Sequence, residues 1–142
     1  MSVTILGPLA EAGIQLPLYS HKVPAGFPSP AADHIEQKIS LDELLNIRAP
    51  HMYLVRISGR SMEGAGIFEG DLAVVDRSIE AKHAHIVIAC VNNEPTCKRL
   101  CLKGSRVILI SENSDYPARH ILEGEEYSTW GVVTFSVRSH GH

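Results

Sequence analysis

The spacing of apolar residues predicts strands over most of the chain beyond residue 50. Tyr53, Val55 and Ile57 occupy alternate positions around Leu54 and Arg56, the period-two signature of a strand. Short apolar runs follow at Leu72 to Val75, Val107 to Ile110 and Trp130 to Val137. Ile86 to Val91 and Thr96 to Leu102 flank Asn92-Asn93-Glu94-Pro95, which predicts a hairpin closed by a four-residue turn. Turn residues recur between about six or seven such segments, and the expected fold is a mainly β, compact barrel or sandwich.

The first third reads differently. Asp33 is placed to cap a short helix carrying Ile35 and Ile39, and Ser40-Leu41-Asp42-Glu43 is a capping-box pattern ahead of Leu44 and Leu45. Two short helical turns are expected there, ending before Pro50. Upstream, five of the eight prolines (Pro8, Pro17, Pro24, Pro28 and Pro30) fall in the first 30 residues. Proline fixes φ and removes a donor, which excludes a long helix or a central strand. Val3, Ile5, Leu6, Leu9, Ile14, Leu16, Leu18, Tyr19 and Phe27 make the stretch too apolar for a solvated tail. Residues 1–32 are therefore expected to be a mobile arm that docks on a body formed by residues 33–142.

Composition narrows the class. The chain has 142 residues, 44% hydrophobic and 20% charged, which are the values of one globular domain. Thirteen Lys and Arg against 16 Asp and Glu give a net charge of −3, and no basic cluster tracks a phosphate backbone. Direct sequence-specific DNA binding is thus not expected. The longest apolar run, Ile86 to Val91, is far short of the roughly 20 residues a membrane span needs. Met1 to Gly13 carries Glu11 and lacks a basic start, so the chain reads as cytoplasmic rather than exported. Three cysteines (Cys90, Cys97 and Cys101) are an odd number in strand-like surroundings and are expected to be reduced thiols. His83-x-His85 and His140-x-His142 have chelating spacing but no acidic or thiol partner at motif distance, so no metal and no cofactor is expected.

Two stretches carry candidate chemistry. Ser61 follows a predicted strand and Gly59, at the start of a tight turn, a position that exposes a hydroxyl beside backbone N–H groups. Lys98 lies in the second strand of the predicted hairpin, sharing a face with Thr96, Leu100 and Leu102. Near its ordinary pKa only about one lysine in 2,500 is neutral at pH 7, so a lysine base requires desolvation. A Ser–Lys pair is one variant of the activated serine nucleophile. On residue types alone, a helix cap and a surface cation are the commoner roles for such a pair.

Taken together, Gly59-x-Ser61-Met62-x4-Ile67-x2-Gly70-Asp71 and Thr96-x-Lys98-Arg99-Leu100 resemble the LexA/UmuD family of self-cleaving Ser–Lys peptidases, the peptidase S24 type. Asp71 to Asp76, Ile86 to Ala89 and Gly131-Val132-Val133 extend the likeness. Pro24-Ala25-Gly26-Phe27-Pro28-Ser29-Pro30, with Glu36-Gln37 and Leu41 to Leu45, is similar to the arm of the UmuD-like SOS mutagenesis branch. The resemblance implies Ser61 as nucleophile, Lys98 as general base, the backbone N–H groups of Arg60 and Ser61 as oxyanion donors, and Ala25–Gly26 as the bond cut. Ala12-Gly13 and Ala65-Gly66 offer the same dipeptide in less suitable places. It also implies a homodimer, cleavage stimulated by a RecA filament, and a role as accessory subunit of a Y-family translesion polymerase in error-prone repair. Two positions depart from the family pattern: Arg60, a second cation expected to favour a neutral Lys98, and Cys97 beside the base. A LexA-type or phage-type repressor would need a helix-turn-helix domain ahead of the peptidase body. A non-enzymatic dimerisation module would have no use for intact Ser61 and Lys98.

Overall fold

The computed structural model describes residues 3–8, 15–19, 35–47 and 49–141, which fall into two compact units. The smaller consists of strands β2 (Gln15–Tyr19) and β3 (Ile35–Ser40), paired antiparallel, and a single helical turn, α1 (Leu41–Leu44). Ser40 caps that turn, its Oγ accepting the Asp42 N–H at 3.2 Å, as the capping-box pattern predicts. The helix expected from Asp33 through Ile39 is instead β3. A spacing of four suits one turn of helix, but it is also even, so it fits a strand equally well. Pro17 is tolerated because both strands of a two-stranded sheet are edges.

The larger unit is one antiparallel eight-stranded sheet. Its strands are β1 (Val3–Pro8), β4 (Met52–Ile57), β5 (Leu72–Asp76), β6 (Ile86–Val91), β7 (Glu94–Lys103), β8 (Arg106–Ile110), β9 (Arg119–His120) and β10 (Tyr127–Val137). Their spatial order is β1-β4-β5-β10-β6-β7-β8-β9, curled into a half-barrel, so the mainly β expectation holds. Residues 3–8, part of the stretch read as an arm, form the edge strand on β4, and Val3 joins the core. Among the described residues no helix is long and apolar enough to cross a membrane.

The curl gives each face of the sheet a core of its own. Val55, Ile57, Met62, Ile67, Ala73, Val75, Ile88 and Cys97 pack on one side. Val87, Ala89, Leu100, Leu109 and Val132 pack on the other. β6 feeds both, Ile88 into the first and its neighbours Val87 and Ala89 into the second, because successive residues of a strand point to opposite faces. Burying both faces explains why β5 and β6 read as continuous apolar runs rather than as alternation.

The β6–β7 hairpin is tighter than expected. Val91 pairs with Glu94 and Cys90 with Pro95, leaving Asn92-Asn93 as a two-residue turn. Both asparagines have positive φ (50° and 68°), the geometry of a type I′ turn. Pro95 therefore lies in the strand rather than in the turn. It is accommodated because β8 pairs with Arg99 to Lys103 only, so among the described strands β6 alone pairs with residues 94–98 of β7. Lys98 is the last residue of β7 before its pairing with β8 begins.

Candidate active site

Ser61 sits where β4 leaves the sheet. Gly59 has φ 90°, a left-handed conformation that lets the chain turn sharply after Ile57, and its N–H donates to Glu69 Oε1 at 3.4 Å. The chain then enters a one-turn 3₁₀ helix, Glu63–Ala65. Met62, fully buried, and Ile67 anchor this turn in the first core. The N–H groups of Ala65 and Ile67 both donate to the Met62 carbonyl, at 3.0 and 3.2 Å. The nucleophile candidate is thus held by packing on the residue directly after it. Ser61 itself is completely buried.

Lys98 approaches from β7, where it pairs with the buried Val87. It shares a strand face with Leu100, which packs with Val87, Ala89 and Leu109. This is the apolar neighbourhood a lysine base requires. The Lys98 ammonium donates to Ser61 Oγ at 2.8 Å, joining residues 37 positions apart. Burial holds the amine below the ordinary lysine value, against the opposing charge of Cys97. That opposition disappears near neutral pH, because burial pushes the Cys97 thiol up to about 12 and leaves it uncharged. Cys97, with no exposed surface, behaves there as a small apolar residue of the core. Cys90, Cys97 and Cys101 are all free thiols.

Arg60 takes no part in depressing Lys98. Its side chain, 71% exposed, turns outward to an ion pair with Glu63 at 3.3 Å. Its contribution to the site is through the backbone: the Arg60 carbonyl accepts from Asn113 Nδ2 at 2.8 Å and from the Glu63 N–H at 3.3 Å, fixing the turn that carries Ser61. Ala25 and Gly26 lie outside the described residues. His83 and His85 each use Nδ1 to accept a backbone N–H, from Leu102 and Lys82.

Beside Lys98 lies an open cavity of about 380 Å³, lined by Val91, Glu94, Pro95, Thr96, Leu109 and Arg119 among others.

A second polar constellation braces the far end of the nucleophile turn. Arg138 grips Asp71 with two nitrogens, at 2.9 and 3.0 Å, and donates to the Gly66 carbonyl at 3.0 Å. Its guanidinium also stacks over Phe68, 3.9 Å from the ring centre. Asp71 Oδ2 further accepts the Phe68 N–H at 2.9 Å. Burial alone would raise the Asp71 carboxyl, but these bonds outweigh it and hold the group below the usual carboxylate range. Asp71 lies within the motif quoted above; Arg138, 67 residues away, has no spacing signal that would connect the two.

A Peptidase S24-like family model matches residues 17–134. The chain is 43% identical to Protein MucA of Salmonella typhimurium over 126 residues, covering 88% of this chain and 86% of that protein. It is 42% identical to Protein SamA of Salmonella typhimurium strain LT2, covering 83% and 81%. It is also 38% identical to the LexA repressor of Bordetella avium, over 96% of this chain but 62% of the repressor.

Proposed function

Because the chain belongs to the Peptidase S24-like family, self-cleaving serine peptidases of the SOS response, we propose that it hydrolyses its own Ala25–Gly26 bond with Ser61 as nucleophile and Lys98 as base. The observation that carries this reading is the 2.8 Å contact between a buried hydroxyl and a desolvated amine. Neutral Lys98 takes the Ser61 proton as Oγ attacks the Ala25 carbonyl carbon. The backbone N–H groups of Arg60 and Ser61 receive the negative charge that develops on the carbonyl oxygen. Lys98 then returns the proton to the departing Gly26 nitrogen, leaving an ester between Ser61 and Ala25. Water, deprotonated by the same amine, hydrolyses the ester and frees the enzyme.

A depressed lysine pKa sets the direction of the pH dependence. Only the neutral amine is a base, so the self-cleavage rate rises with pH until Lys98 is fully deprotonated. Incubating the purified full chain from pH 6 to pH 10 and weighing the fragments by mass spectrometry tests enzyme and site together. The expected product begins Gly26-Phe27-Pro28. A rate independent of pH would contradict a titrating lysine base, and a different new terminus would overturn the site.

The same reading extends to partners. We infer that the chain acts as a homodimer, that a RecA filament accelerates cleavage, and that the shortened form joins a Y-family polymerase during translesion synthesis. The similarity to MucA and SamA, over most of each protein's length, supports this reading over a repressor. In cells exposed to ultraviolet light, the chain beginning at Gly26 is expected to support mutagenesis, and the full-length Ser61→Ala protein much less. Equal mutation frequencies at matched protein levels would rule out cleavage as the switch.

A further inference from the structure

We propose that the loop between β8 and β9, residues 111–118, is a clamp that locks the nucleophile turn to the base strand, with Asn113 as a positioning residue for Ser61 and Tyr116 as one for Lys98. The inference rests on the Ser61–Lys98 reading and adds to it residues that the opening motifs do not contain.

The clamp has one grip on each partner. On the nucleophile side, Asn113 Nδ2 donates to the Arg60 carbonyl at 2.8 Å, and the Glu112 carbonyl accepts the Gly64 N–H at 2.6 Å. A Cβ at position 64 would stand 2.4 Å from that carbonyl oxygen, so the loop and the turn meet backbone to backbone. On the base side, the Glu112 carboxylate is ion-paired with Arg99, the residue after Lys98. β8 delivers the loop there because its last residue, Ile110, pairs with Arg99. Within the loop, Asn113 Oδ1 accepts the Asp115 N–H and the Asn113 carbonyl accepts the Tyr116 N–H, each at 3.0 Å. That compact turn carries the Tyr116 ring to 5.9 Å from Lys98 Nζ. Ser61 and Lys98 come from elements 37 residues apart, and this loop bonds directly to both.

Tyr116 acts on the amine in two opposing ways. Its ring keeps water from one side, which favours the neutral form, while the negative face of the ring favours the ammonium. At 5.9 Å the second effect is close to its limit of about 6 Å, so water exclusion is the larger. Among the described residues, the other charged or titratable groups near Lys98 include Cys97 on its own strand and Glu94 and Arg119 lining the cavity. Arg119 is ion-paired with Glu125, Arg99 with Glu112 and Arg60 with Glu63.

The test uses the full-length chain and two readouts. The first is the pH–rate profile of self-cleavage. Tyr116→Ala, which admits water, is expected to move the midpoint up by about half to one pH unit, and Tyr116→Phe to restore it. Asn113→Ala is expected to lower the high-pH plateau about five- to ten-fold while leaving the midpoint in place. The second readout does not depend on cleavage: limiting acetic anhydride labels Lys98 across the pH range in the Ser61→Ala background, with and without Tyr116→Ala. Here too Tyr116→Ala is expected to move the titration upward. Circular dichroism melts identify any variant that loses its fold; Tyr116→Leu then substitutes for Tyr116→Ala, and its midpoint should stay at or below that of the parent. A Lys98 titration unmoved by Tyr116→Ala in a folded chain overturns the role of Tyr116. An unchanged plateau in Asn113→Ala overturns the role of Asn113. If the parent chain does not cleave itself, the catalytic reading fails, while labelling still decides the clamp's effect on Lys98.

Discussion

Full-length Ser61→Ala and Lys98→Ala proteins are each expected to remain uncut under conditions in which the parent is fully processed. Without Oγ there is no atom to form the ester, so the loss in Ser61→Ala is complete. Removing Lys98 eliminates the base, a change that costs about 10²–10⁴ in rate for proton transfer alone. Lys98→Arg separates chemistry from packing. It keeps a long cationic side chain near Ser61 Oγ, but a guanidinium does not deprotonate in proteins, so it cannot take the proton. All three variants should retain the far-ultraviolet spectrum of the parent. Ser61→Ala removes one oxygen from a buried turn still held by Met62, and Lys98 is only half-buried on a strand paired on one side by β6. Gel electrophoresis over several hours, at pH 7 and again at alkaline pH, reads the outcome. Cleavage that persists in Lys98→Ala near neutral pH would remove the lysine from the mechanism.

How much of this arrangement is legible in the sequence follows from the range of the interactions concerned. Strands β4, β5, β6, β8 and β10 are local patterns, and their apolar runs predict them to within a few residues. Ser61 and Lys98 are legible as residue types in the right local setting, a glycine turn and an apolar strand. Their 2.8 Å contact is a property of the sheet order, which no local pattern encodes. β1 is hidden because Pro8 reads with the other early prolines as part of an arm, whereas its pairing with β4 is decided more than 40 residues away. The same holds for β3, where a spacing of four fits either element, and for Pro95, whose place in a strand depends on where β8 stops. The 111–118 loop was least legible. Its grips on the nucleophile turn use the backbone carbonyls of Arg60 and Glu112, which carry no residue signature.

Arg138→Ala is the substitution outside the catalytic pair with the largest expected effect on stability. Asp71 is 1% exposed and accepts two of its hydrogen bonds from Arg138, so truncation leaves a buried carboxylate with the Phe68 N–H as its remaining described donor. Breaking a pair from one side leaves the buried partner uncompensated, a loss reduced here because the Arg138 side chain is 38% exposed and solvent screens its charge. The sign of the pH dependence follows from Asp71. In the parent its folded-state pKa lies below the ordinary aspartate value, so the pair contributes fully above that value and is lost as pH falls through the folded pKa. In the variant, burial without a cation raises the same carboxyl, so it binds a proton more readily folded than unfolded. The stability gap between parent and Arg138→Ala is therefore expected to be widest near pH 7, to narrow as pH falls through the variant's raised carboxyl range, and to close below the parent's depressed one. Asp71→Asn in the Arg138→Ala background removes the orphaned charge and should recover part of the loss at neutral pH while changing little in acid. Urea denaturation of the parent, Arg138→Ala and the double variant, each in the full-length Ser61→Ala form, at pH 7 and at pH 4, measures the gap and its recovery. A gap that does not narrow in acid would show that Arg138 stabilises through its stacking on Phe68 and its bond to the Gly66 carbonyl, not through the buried charge.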